Sequence, residues 1–146
     1  MDNIIIRQAA ESDLPVFAEI ERVCIAEPWS MESFRAEYNA AGAVFLAAEC
    51  GGVICGFLTA SSVLDEVNIN NVAVLREYRR NGIGEKLLCA LEEQAADFAA
   101  VINLEVRESN LPAISLYKKL GYAQNGLRKN FYRQPTENAV LMSKLI

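Results

Sequence analysis

Between Asn68 and Glu85 the chain passes from an apolar run into a basic turn and then straight into a helical pattern. Ile69, Val72 and Val74 make the run, and β-branched residues so placed read as a buried strand. Arg76, Arg79 and Arg80 charge the connection, which closes on Gly82-Ile83-Gly84. Ile83, Leu87, Leu88, Leu91 and Ala95 then recur at helical spacing. A strand, a glycine turn and a helix N-terminus in that order suit an anion. Glycines let the backbone come close, and the first N–H groups of the helix point at the ligand with the positive end of the dipole. A nucleotide P-loop would need Gly, four residues and Gly-Lys-Ser/Thr, and no such run exists. A dinucleotide fingerprint would need a third glycine where Leu87 stands. Arg79-x-x-Gly82-x-Gly84 remains, a spacing that taken alone fits a solvated basic turn capping a helix equally well.

The surrounding pattern is that of one α/β domain spanning residues 1–146. Ile4 to Arg7 reads as a first strand. Ser12-Asp13 ahead of Pro15 marks a helix start, with Val16, Ile20, Val23 and Cys24 as its expected apolar stripe. Pro28-Trp29 breaks the chain, and Ser30 can cap a short second helix that carries Phe34 and Tyr38 and ends at Gly42. Ala43 to Ala48 and Val53 to Ser61 are two strands joined by Gly51-Gly52, a dipeptide that tolerates positive φ at both hairpin positions. The Asn68 stretch starts near Glu66. Val101 to Val106 alternates as another strand. Asn110 can cap a helix with Pro112 in its first turn and Ala113, Ile114, Tyr117 and Leu120 on one face, closed by Gly121. Two strands, about Ala123 to Phe131 and Asn138 to Leu145, finish the chain.

Composition excludes several chemistries. The chain has no histidine, and Cys24, Cys50, Cys55 and Cys89 form no Cys-x-x-Cys pair. Zinc sites built on Cys and His spacing are unsupported, and Ser-His or Cys-His nucleophiles are impossible. No metal is expected. Acid–base work must come from Glu, Asp, Tyr, Cys, Lys or the backbone. A net charge of −5 argues against a broad nucleic-acid interface. No apolar run approaches the ~20 residues of a membrane helix, and the start Met-Asp-Asn-Ile-Ile-Ile-Arg lacks a signal peptide's basic region. A cytosolic protein with reduced, core-packed cysteines is expected. Oligomeric state has no signature.

The Arg79 to Gly84 spacing resembles the pyrophosphate-binding turn of the GCN5-related N-acetyltransferase superfamily. Leu104-Glu105-Val106-Arg107-Glu108-Ser109-Asn110, then Ala113-Ile114-Ser115-Leu116-Tyr117, then Leu120-Gly121-Tyr122, is far more particular. It resembles the bacterial branch that acetylates the N-terminal alanine of small-subunit ribosomal protein eighteen. Pro28-Trp29-Ser30, Asp65-Glu66 and Tyr132 through Pro135 to Ala139 and Met142 resemble the same branch. The resemblance covers nearly the whole chain, densely from Glu66 onward. It implies a mostly antiparallel mixed sheet flanked by helices, with the fourth and fifth strands splayed around the pantetheine arm of acetyl-coenzyme A. It implies Glu105 as general base and Tyr117 as general acid. It assigns acetyl-coenzyme A to Val72, Ala73 and Val74, to Arg79, Arg80, Asn81, Gly82, Ile83, Gly84 and Glu85, and to Asn110. The implied partner is a ribosomal protein's N-terminal peptide. Asn138 departs from the acidic residue common there, and Tyr122 from the common Phe.

The implied reaction makes its own demands. An α-amine, with a pKa of ~7.7–8.0, is largely protonated at neutral pH, so a base must take that proton. Attack on a thioester carbonyl creates an oxyanion that needs a fixed donor, for which a backbone N–H near Val74 is the candidate. Tyrosine, near ~10, is suited to protonating a thiolate of pKa ~8.5. Each residue also has a plain structural reading. Glu105 could be a half-exposed strand glutamate, with Glu66 the rival base. Tyr117 could be core, Asn110 only a cap, Arg79 and Arg80 only solvated, Cys89 packing, and Trp29 and Tyr132 either peptide groove or core. Two other functions fit the same residues: acetylation of a small amine or lysine, and acetyl-coenzyme A binding without turnover.

Overall fold

The computed structural model describes residues 3–146. Met1 and Asp2, on which the signal-peptide argument partly rests, lie outside them. The elements run β1 (Ile4–Gln8), α1 (Leu14–Cys24), α2 (Met31–Tyr38), β2 (Ala43–Cys50), β3 (Val53–Val63), β4 (Glu66–Val74), α3 (Ile83–Ala95), β5 (Val101–Arg107), α4 (Leu111–Lys119), β6 (Ala123–Tyr132) and β7 (Glu137–Leu145). Several boundaries follow from local chemistry. Ser30 Oγ accepts the Ser33 N–H at 3.1 Å and starts α2, and Asn110 Oδ1 accepts the Ala113 N–H at 3.3 Å and starts α4. Gly51 and Gly52 take φ of +61° and +81° in the β2–β3 turn, as expected of that dipeptide.

The seven strands form one sheet in the order β1-β2-β3-β4-β5-β7-β6. All neighbours are antiparallel except β4 and β5. That parallel pair is short: Glu66, Val67 and Asn68 stand opposite Val101, Ile102 and Asn103, and pairing stops there. Beyond it β4 stays on β3 as far as Val74 opposite Gly56, and β5 stays on β7 as far as Arg107 opposite Ala139. Each strand is held by its outer neighbour, so a gap opens between them. The β3–β4 register slips here, with Thr59 opposite Asn71 but Ala60 opposite Ile69, leaving Asn70 as an extra residue. Such a bulge bends and twists its strand.

The sheet has a core on each face. On one, Leu46, Leu58, Val67, Ile102, Leu104, Val106 and Met142 meet the α3 stripe Ile83, Leu87, Leu88, Leu91 and Ala95 and Tyr117 of α4. On the other, Leu14, Phe17, Ile20 and Phe34 cover Phe45, Phe57 and Ala73. Here the α1 stripe differs from expectation. Leu14, Phe17, Ile20 and Glu21 are buried, whereas Val16 and Val23 are 40% and 57% exposed. Phe17 sets the rotation by stacking on Phe57 with ring centroids 4.5 Å apart. Cys50 and Cys55 are buried as expected, but Cys89 is exposed, beside the Leu87-Leu88 stripe rather than in it.

Helix α2 stops at Tyr38, before Gly42. Gly42 serves a different purpose: its φ is +81°, its carbonyl accepts from the Ser62 N–H at 2.8 Å, and a Cβ there would stand 2.2 Å from the Ser62 carbonyl oxygen. Gly42→Ala is therefore expected to destabilise the protein by about 1–3 kcal/mol in urea titration, the range for a forced left-handed residue.

Candidate active site

The gap between β4 and β5 exposes backbone groups that a continuous sheet would pair. The Leu75 N–H donates to Cys55 O at 2.8 Å, on the β3 side. Amide direction alternates along a strand, so Val72 and Val74 turn theirs toward the gap. Their side chains are half-buried against the α3-side core, and Ala73 is buried on the α1 side. Arg79 does not reach outward: its Nε donates to Val74 O at 2.9 Å and its Nη2 stands 3.8 Å from Cys24 Sγ. It fastens the turn to the end of β4. Asn81 Nδ2 donates to Tyr78 O (2.9 Å) and Arg79 O (3.2 Å), closing the same loop.

The turn then presents a helix start. Arg80 and Gly82 both adopt left-handed backbone, φ +65° and +74°. Gly82 precedes α3, and a Cβ at Gly82 would meet no atom within 4 Å. This open approach, with the N–H groups of Ile83, Gly84 and Glu85 in the first turn of α3, fits a diphosphate. The side chain of Ile83 anchors the helix in the core, and Glu85 pairs with Lys119 of α4 at 2.9 Å. An acyl-coenzyme A has the pieces this geometry suits, an anionic diphosphate for the turn and a long amide-bearing arm for the gap. Among the described residues no group of three or more Cys, Asp or Glu side chains could hold a metal ion.

On the α1–α2 side of the sheet a cleft of about 640 Å³ opens beside the gap. Trp29 forms one wall, Arg128, Phe131 and Tyr132 of β6 another, and Asn68, Asn103, Glu105 and Ser143 stand on the floor. Leu104 and Val106 are buried, so strand alternation points Glu105 outward into the cleft. Its Oε1 is 3.6 Å from Arg128 Nη1. Polar groups of the floor hold one another: Asn103 Nδ2 donates to Glu66 Oε1 and Asn68 Oδ1, both at 3.1 Å, and Asn103 Oδ1 accepts the Ser143 hydroxyl at 2.6 Å. Glu66 thus sits at the paired end of β4, apart from the cleft.

Tyr117 and Glu105 are not side by side. Tyr117 is buried on α4, edge-on to Tyr122 with centroids 6.0 Å apart, and burial pushes its hydroxyl up to about 12. Tyr132 lies within electrostatic reach of both Glu105 and Tyr117, and burial first, then the Glu105 charge, raises it to about 12. The extra hydroxyl of Tyr122 donates to Glu92 at 3.1 Å. Asn138 accepts the Asn130 N–H at 3.0 Å across the β6–β7 hairpin.

Two supporting groups lie outside the set of site residues expected from the sequence. Arg107, two residues past Glu105, donates to Arg133 O (2.7 Å) and Pro135 O (3.0 Å), pairs with Glu137 (3.3 Å) and lies 4.5 Å from the Tyr132 ring centroid. It pins the β6–β7 hairpin to β5. Arg133 N–H in turn reaches Glu27 of the α1–α2 loop at 2.6 Å, so the two loops flanking the cleft touch. Glu21 is fully buried under the same loop, where desolvation raises its carboxyl above the usual carboxylate range. Its signal was a charged residue in line with Leu14 and Phe17, hidden by the mistaken stripe.

Comparison with known proteins agrees with this geometry. The model of the acetyltransferase (GNAT) family matches residues 14–122. An Escherichia coli [ribosomal protein bS18]-alanine N-acetyltransferase is 36% identical over 137 residues, 90% of each chain. A Sulfurisphaera tokodaii N-alpha-acetyltransferase is 31% identical over 152 aligned residues, 94% of this chain and 90% of the relative. The crystal structure of the Escherichia coli ribosomal-protein-S18-alanine N-acetyltransferase superimposes with a TM-score of 0.93 at 32% identity, over 99% of this chain and 94% of that one. Sequence, turn and splayed sheet lead to one conclusion: this chain is a member of the acetyltransferase (GNAT) family.

Proposed function

We propose that this protein transfers the acetyl group of acetyl-coenzyme A to the N-terminal α-amine of a protein, and that its substrate is the alanine-starting N-terminus of ribosomal protein bS18. The substrate assignment follows the relatives' names. The observation that carries the chemistry is Glu105, a carboxylate on the floor of a cleft beside an open strand gap. Bound acetyl-coenzyme A supplies an acyl thioester, and the chain's own groups do the rest. The diphosphate rests on the turn from Arg79 to Glu85, and Asn110 borders the cofactor at the start of α4. The peptide's α-ammonium enters between Trp29 and Tyr132 and gives a proton to Glu105. The freed amine forms a C–N bond at the acetyl carbon as the C–S bond breaks. A gap-facing N–H of β4, that of Val74, stabilises the carbonyl oxygen, and Tyr117 protonates the departing sulfur. Glu66 is the weaker candidate base because its carboxylate is engaged by Asn103 and does not line the cleft.

The pH profile tests these roles. Burial favours the neutral Tyr117, so the proton it donates is retained until pH nears 12. The rate should rise through the amine's range, ~7.7–8.0, and show no falling limb from Tyr117 below about pH 10. Tyr117→Phe should lower kcat about a hundredfold with little change in the KM for acetyl-coenzyme A. The decisive assay is thiol release with an Ala-starting peptide copying the bS18 N-terminus, run beside the same peptide with its α-amine blocked. Turnover on the free peptide alone supports the proposal. Intact acetyl-coenzyme A binding without turnover on that peptide would overturn the substrate, and turnover on lysine or polyamines instead would put the small-amine reading in its place.

A further inference from the structure

Glu21 is the one fully buried charged side chain among the described residues. It lies beside the aromatic core of Phe17, Phe34 and Phe57, where an apolar residue would pack without desolvating a charge. Its partners explain what it does there. Glu21 Oε2 accepts the backbone N–H of Trp29 at 2.6 Å, and Oε1 accepts from Asn71 Nδ2. Asn71 Oδ1 in turn accepts the Thr59 hydroxyl at 2.7 Å. Asn71 follows the extra residue Asn70 in the β4 bulge and precedes Val72, whose N–H faces the strand gap. Trp29 is a wall of the cleft and packs edge-on to Phe34, centroids 5.3 Å apart. One carboxylate therefore ties helix α1 to both sides of the site, the loop that borders the cleft and the strand that borders the gap.

Stability alone does not call for this arrangement. Replacing a buried polar cluster, all partners together, with apolar groups of similar shape is often neutral or stabilising for a fold. Removing the acceptor instead leaves the Trp29 N–H and the Asn71 amide, both partly buried, without their partner. We propose that Glu21 is a positioning residue that clamps Trp29 and its loop onto the β4 bulge, holding the peptide wall at a set distance from the acetyl-coenzyme A strand. This rests on reading the cleft as the peptide site.

Trp29 is the only tryptophan in the chain, so its fluorescence reports the clamp directly. Glu21→Leu fills the space but accepts nothing. Glu21→Gln keeps an acceptor for Trp29, and its amide can donate to Asn71 once that carboxamide turns over and Thr59 becomes the acceptor. The measurements are Trp29 emission and acrylamide quenching of the protein alone, the thermal melt, and separate KM values for the Ala-starting peptide and acetyl-coenzyme A. In Glu21→Leu, Trp29 emission should shift to the red and quench more readily. Its peptide KM should rise about tenfold or more, against less than about threefold for acetyl-coenzyme A, and Glu21→Gln should restore most of both readouts. Asn71→Ala, which cuts only the β4 half of the clamp, should move the same readouts in the same direction and serves if Glu21→Leu does not fold. Wild-type emission and peptide KM in these variants, with only the melt changed, would overturn the proposal. So would an equal rise in both KM values with no rescue by Gln. If the wild type neither binds nor acetylates the peptide, the functional reading fails by itself, and unchanged Trp29 emission in the variants would still overturn the clamp.

Discussion

Glu105→Gln should lower kcat by about a hundredfold or more, the contribution typical of a positioned general base. The substitution keeps size and shape and removes only the capacity to hold a proton. The ion pair with Arg128 goes too, but both partners are substantially exposed, 36% and 52% of their side-chain surface, so little stability is lost. Binding of acetyl-coenzyme A should stay within about twofold, since Glu105 points into the cleft and the turn before α3 is untouched. The pH dependence carries the sharper information. If Glu105 acts by taking the ammonium proton, raising the pH above ~8 lets the amine lose that proton to water, and the variant should recover part of its rate. A variant as active as wild type at pH 7 would remove Glu105 from the mechanism. Glu66→Gln is the control: fixed by Asn103 at the paired end of β4, Glu66 should affect kcat only a few-fold.

Phe57→Ala should destabilise the fold by about 3–5 kcal/mol, the usual cost of deleting a buried phenylalanine. Phe57 is fully buried, lies 4.5 Å centroid to centroid on Phe17 and meets Phe34 edge-on at 5.8 Å. It is a strand residue, held by β2 and β4 on either side, so neighbouring backbone cannot collapse into the space. In a domain of ordinary stability this is a third or more of the total, and the thermal midpoint should fall by roughly 10–15 °C. Thermal and urea unfolding followed by circular dichroism measure it, with an unchanged urea slope expected for a simple loss of packing. A loss below about 1 kcal/mol would mean that α1 closes over the cavity, contrary to the tight Phe17–Phe57–Phe34 packing.

What could be read from the residues alone was whatever one element or one turn decides for itself. The α3 stripe, the Ser30 and Asn110 caps, the Gly51-Gly52 hairpin and the outward direction of Glu105 each depend on neighbours a few positions away. Helical period, side-chain capping and strand alternation are short-range physics, and they survive whatever the rest of the chain does. The ordered succession of those elements, with the motifs from Leu104 to Tyr122, was enough to point to the family that the comparisons show.

Tertiary structure decided everything that depends on residues far apart in the chain. Whether α1 buries Val16 or Phe17 depends on Phe57, forty residues on, because stacking two rings buries more surface than either valine. The gap in the sheet exists because β3 and β7 hold β4 and β5 apart, which neither strand's own residues could announce. Glu21 gains its role only from Trp29 and Asn71, eight and fifty residues away, and Arg107 gains its own only from the β6–β7 hairpin. The sequence by itself determined the elements and their order, and it offered the candidate residues for the chemistry. Only packing determined where those residues stand, since a position in a site is a sum of contacts between segments that the chain's local rules leave independent.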